Sequence, residues 1–169
     1  SCMMKQPASQ QPGRGLEGII ATLIGTQEIQ RLHAVANHNL PKIDNVAEKW
    51  YWNHSGDFFQ GYGIALCLDI AAEYLSGKIG GYCEKKYGPE SRLSKAAEYI
   101  RTHHTTRSIG AAAISSCAVA AAEALSFLNY QELWDIPAGI AGALLYVGTR
   151  AYVTARHTRI HNEGDVSVS

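Results

Sequence analysis

The sequence predicts an all-α protein, a helical bundle with three to four transmembrane helices. Three observations lead there. Apolar residues gather into runs at 58–77, 108–128 and 136–149, two of them about the length of a bilayer-crossing helix and the third somewhat short of it. Helix start and stop residues separate the runs, and no stretch shows the two-residue alternation of a strand. Charge is segregated: 78–107 and 150–159 are basic, whereas 129–135 contains two acids and no base.

The chain has 169 residues, with 15 basic side chains against 15 acidic ones. That balance gives no nucleic-acid footprint, so no nucleic-acid partner is expected. Mean hydropathy is only -0.13, low for a chain built mostly of spans, because the polar residues are concentrated between the runs. Cys2, Cys67, Cys83 and Cys117 show no C-x-x-C spacing, so neither a disulfide framework nor a zinc site is expected. Residues 1–15 are rich in Gln, Pro, Gly and Ser and are expected to be disordered, 16–156 to form the bundle, and 157–169 to be a frayed polar tail.

Taken in order, 15–36 reads as a first helix that Pro41 ends, apolar for too few residues to span without its polar continuation. A polar connection, 42–56, holds Trp50 and Trp52 and closes on turn-forming Asn53-His-Ser-Gly56, after which Asp57 can cap the helix of 58–77. Pro89 interrupts the basic block, and 91–103 reads as a short amphipathic helix. The run 108–128 is broken by one charge, Glu123. Asp135 caps the last helix, with Pro137 in its first turn, and that helix runs to about Arg156.

The positive-inside rule puts the basic block and the C-terminus in the cytoplasm and the 129–135 hinge outside, making a multi-pass protein of the cell membrane with lipid as its partner. Trp50, Trp52 and Trp134 then all fall at the outer interface, where amphipathic rings accumulate. Gly139, Gly142, 111–113 and 120–122 offer faces for close helix packing, within the chain or in a homo-oligomer.

An acid at a helix centre in lipid costs about 3 kcal/mol on insertion scales, which marks it as a functional candidate in need of a partner. Asp57, Glu123 and Asp135 fall at one level near the outer ends of their helices and are the candidate catalytic residues. Read more plainly, Asp57 and Asp135 are helix caps, Asp69 and Glu73 form a solvated stripe or pair with Lys78, and Arg150 snorkels to the inner interface. The pairs His103-His104 and His157/His161 have no third ligand nearby in sequence, so no metal or cofactor is expected. Nucleotide-binding and nucleophile-elbow fingerprints are absent.

Glu123, the loop after it, Asp135 and Gly142-Ala-Leu-Leu145 resemble the last helices of the VanZ-like membrane proteins, and Asp57-Phe-Phe-Gln60 resembles that family's earlier Asp-started span. Gly139 stands where the family carries Asn, Ser126 where Gln often follows the Glu, and Gln60 or Gly61 where it carries His. The resemblance covers about 50 residues of the C-terminal half. It implies a cell-envelope protein, linked in some members to resistance against glycopeptide or lipopeptide antibiotics.

The expected function is that of an envelope protein with an outward-facing polar layer of Asp57, Glu123 and Asp135. The alternatives are a soluble Ala-rich interaction or oligomerisation module, in which interrupted apolar runs of this length are buried bundle helices, and an ion path through Asp69, Glu73 and Glu123.

Overall fold

A computed structural model describes residues 13–37, 44–126 and 135–166. They form five helices, α1 (Gly15–Ala36), α2 (Val46–Tyr87), α3 (Arg92–Thr102), α4 (His104–Ser126) and α5 (Asp135–Val166), with no strand among the described residues. The expected disordered segment up to residue 12 and the hinge up to 134 lie outside the described residues.

Local chemistry accounts for the boundaries. Asn45 Oδ1 accepts the backbone N–H groups of Ala47 and Glu48 at 2.9 and 3.3 Å, and Ser91 Oγ accepts that of Ser94 at 3.2 Å. Each side chain satisfies donors that the first helical turn leaves unpaired. Gly88, in the left-handed region at φ 85°, ends α2 ahead of Pro89.

Two expectations are corrected. The stretch 42–56 is not a connection beyond Asn45: α2 already runs through it, so Asp57 lies inside a helix of 42 residues and caps nothing. Turn propensity loses here to tertiary contact, since Ser55 and Gly56 pack against Glu28 of α1. The tail from 157 is not frayed either, because α5 continues past Arg156 to Val166. The helix α1 lies where expected, and α3 is one residue shorter at each end than the sequence suggests.

Helices α1, α2, α4 and α5 form the bundle, and α3 folds back along the end of α2, with Ala97 over Gly80. Directions follow from the contacts. Glu28 of α1 meets Ser55 while Arg14, just before α1, meets Asp69; Ser115 of α4 meets Gly61 while Arg107 meets Asp69. Both helices therefore run opposite to α2. Asp135 meets His54 and Tyr146 meets Asp69, so α5 runs with α2. One end of the bundle, called upper here, gathers Glu28, His54 and Asp135; the lower end gathers Arg14, Asp69, Arg107 and Tyr146.

Between the ends the backbones nearly touch. A Cβ on Gly61 would fall 1.8 Å from the Gly139 carbonyl oxygen, and one on Gly142 would fall 2.0 Å from that of Phe58. Only glycine permits this approach, which lets α2 and α5 interlock beside a small core of Tyr62, Ala65, Ala112, Ala143 and Tyr146. Gly139 and Gly142 are thus used within the chain, whereas Ala113 and Ala121 stay exposed.

The distribution of polarity is inverted. Asp69, Glu17, Arg107 and Arg150 are buried, while Ile114 is 59% and Leu144 62% exposed, with Ile19, Leu23, Ile109 and Leu125 also on the outside. Two helices, over His104–Leu125 and Asp135–Ile160, are long and apolar enough to cross a membrane, and only 28% and 39% of their apolar windows are buried.

Candidate functional site

Polar side chains meet inside the bundle in two layers, one at each end of the glycine seam. In the lower layer, Asp69 accepts hydrogen bonds from Arg107 Nε at 2.5 Å, from Arg14 Nη1 at 3.0 Å and from the Tyr146 hydroxyl. One turn on, Glu73 accepts from Arg107 Nη2 at 2.8 Å and from Arg14 Nη2. Arg107 spends a further N–H group on the carbonyls of Ile100 and Arg101 at 3.3 and 3.1 Å, tying α3 to α4. Nearby, Arg150 donates to Glu17 Oε1 at 2.9 Å, and Glu17 Oε2 is buried with no hydrogen-bond partner among the described residues.

Three of the plainer readings are thereby corrected. Asp69 and Glu73 do not form a solvated stripe, and Glu73 pairs with Arg14 and Arg107, not Lys78. Nor does Arg150 snorkel outward: it is 1% exposed and meets Glu17 across the bundle. The ion path is redrawn as well, since the arginines bind both lower acids and Glu123 belongs to the other layer.

The upper layer is built on the N-terminal half of α2. Helical spacing puts His54 and Asp57 on one face, where they meet Asp135 at the start of α5. His54 Nδ1–H donates to Asp135 Oδ1 at 2.6 Å, and the Trp50 ring lies 5.2 Å from the imidazole, fixing its position. Ligand atoms of His54, Asp57 and Asp135 all lie within 4.8 Å of one another. Beside them, Arg31 forms a fork on Glu28 at 2.6 and 2.9 Å, and Ser55 Oγ donates to Glu28 at 2.7 Å.

Asp57 stands one residue ahead of the apolar run. Burial, then the neighbouring Asp135 carboxylate and a weaker contribution from Glu123, push its carboxyl up to about 6. Asp57, Asp135 and Glu123, which sequence alone singled out, therefore converge: the first two are in contact and the third is within electrostatic reach.

Sequence reading missed His54, because it sits in a stretch that looked like a loop. The available signal was its spacing from Asp57, three residues apart on a helix. Sequence spacing pointed to none of the metal-ligand groups that come together here: one imidazole and two carboxylates, His54, Asp57 and Asp135, lie close enough to hold a metal ion. The His103-His104 pair takes no part, with His103 stacked on Tyr99 at 3.8 Å in the exposed α3 region.

Compared with protein-family models, curated proteins and solved structures, the chain matches none.

Proposed function

We propose that the chain is a multi-pass membrane protein of VanZ-like envelope type, embedded through α1, α2, α4 and α5, whose outward-facing end carries the His54–Asp57–Asp135 site. One observation carries this reading, the inverted polarity of the bundle. Exposed isoleucines and leucines on α1, α4 and α5 suit a hydrocarbon surround, and paired charges inside are the form in which ionisable groups are tolerated there.

Orientation follows from charge. Arg14, the 78–107 block and the basic part of α5 belong to the lower end, which faces the cytoplasm under the positive-inside rule. The upper layer then faces outward with Glu123 at its edge. A site of this composition can hold and pass protons or bind a cationic group on the outer side. Its burial against Trp50 keeps it partly shielded from water.

The test is carbonate extraction of membranes from expressing cells, combined with thiol labelling of cysteines introduced singly at Gln131 and Glu90 in a background lacking the native cysteines. Retention in the pellet with labelling of position 131 alone from outside supports both embedding and orientation. A chain that is monodisperse without detergent overturns the reading and leaves the apolar faces to be covered by further copies of a soluble module.

A further inference from the structure

We propose that His54, Asp57 and Asp135 bind one divalent transition-metal ion, of the zinc class, at the upper end of the bundle. The inference deepens the reading of this end as the functional one, and its evidence lies in the donor set.

Geometry comes first. A zinc ion takes nitrogen and oxygen ligands at about 2.0–2.2 Å, so ligand atoms around one ion sit roughly 3–4 Å apart. The donor atoms of His54, Asp57 and Asp135 fall within 4.8 Å of one another before any ion draws them in. The ion takes the place of the proton between His54 and Asp135, which is released to water as their 2.6 Å hydrogen bond opens to ligand spacing. Two ligands come from one face of α2 and the third from the first residue of α5, so the site is held by helices that the glycine seam locks together.

Charge is the second, independent observation. The lower layer sets Arg14, Arg107 and Arg150 against Glu17, Asp69 and Glu73 and is neutral. Among the described residues, the upper layer sets Glu28, Asp57, Asp135 and Glu123 against one arginine, Arg31, which Glu28 binds and which also lies within electrostatic reach of Asp57. Half-buried carboxylates in contact need a shared proton or a cation, and a divalent ion in place of the proton supplies the missing charge. The imidazole selects among cations, because magnesium and calcium prefer all-oxygen shells whereas zinc and its neighbours accept nitrogen. His54 is 4% exposed and fixed by Trp50, as a ligand must be to hold one orientation. Three protein ligands leave a position open to water or an incoming ligand on the outer side.

The experiment is titration of the full chain, purified in detergent and stripped of metal, with Zn2+ against a chromophoric chelator, with stoichiometry read by elemental analysis. The expected result is one zinc per chain. His54→Ala, Asp135→Asn and the near-isosteric Asp57→Asn each weaken binding about tenfold or more, while His103→Ala leaves it unchanged. Circular dichroism and gel filtration of each variant keep a lost site separate from a lost fold, and Asp57→Asn serves if His54→Ala fails to fold. X-ray absorption of the zinc form should show only nitrogen and oxygen neighbours. No zinc uptake, uptake unaffected by the three ligand variants, loss through His103→Ala, or a sulfur neighbour each overturns the proposal. None of these readouts depends on fractionation or labelling, so a chain that pellets with membranes yet takes up no zinc defeats the metal site and leaves the embedding intact.

Discussion

The two polar layers use the same residue types at opposite ends of one helix bundle, and they differ in balance. In the layer below the glycine seam, three acids face three arginines: Asp69 and Glu73 share Arg14 and Arg107, and Glu17 meets Arg150. Above it, Asp57 and Asp135 face each other and a histidine. A closed set of pairs balances its own charge and ties four helices together; an acid-rich set depends on a proton or cation from outside. Burial and polarity alone do not separate a structural network from a working site, and the sum of charges does.

The sharpest way to break this comparison is to unbalance the lower layer. Asp69→Asn keeps the shape but leaves Arg14 and Arg107 to share Glu73, one buried positive charge in excess, and is expected to cost about 3–5 kcal/mol. Thermal unfolding in detergent measures it, and a loss below about 1 kcal/mol would mean that the lower network holds nothing together.

The same change in the upper layer should run the other way. An acid whose pKa rises on folding weakens the fold as pH climbs from its ordinary value through about 6, so stability from this group is kept below that window and lost above it. In metal-free protein, Asp57→Asn should therefore raise the melting temperature at pH 8 by a few degrees and change it little at pH 3.5. Melting curves at the two pH values check the sign, and a destabilised Asp57→Asn at pH 8 contradicts it.

The smallest effect supplies the baseline. Glu98 and Arg101 pair at 2.8 Å on the exposed face of α3, and Glu98→Gln should shift stability by less than about 0.5 kcal/mol in the same assay. A larger shift would mean that α3 is anchored by its surface rather than by Arg107.

Much of this architecture was legible from residue order. The helix boundaries of α1 and α3 follow from Pro41, Ser91 and apolar periodicity, and the convergence of Asp57, Asp135 and Glu123 follows from their common depth, the first two at the start of parallel apolar stretches and the third near the end of the opposed α4. What stayed hidden depended on distant contact. Asn53-His-Ser-Gly56 has the composition of a turn and becomes helix because Ser55 bonds Glu28 and Gly56 lets the Arg31–Glu28 fork lie against α2, where a Cβ would sit 3.2 Å from Glu28 Oε1. Once that stretch is misread, His54 cannot be placed on the face of Asp57. Arg14 was hidden for a similar reason: its neighbours are those of a disordered segment, and only the fold shows it reaching Asp69 and Glu73.

The continuity of α2 has a further consequence. With no break between Val46 and Tyr87, the stretch from Asp57 to Asp69 acts as a ruler of about 18 Å, at roughly 1.5 Å per residue, and also as a clock hand. Adding or removing one residue there would turn everything downstream by about 100° and put one layer out of phase with α5, however conservative the inserted side chain. The chain can vary its surface freely along this stretch, but its length is set by the distance between two charge clusters that never touch.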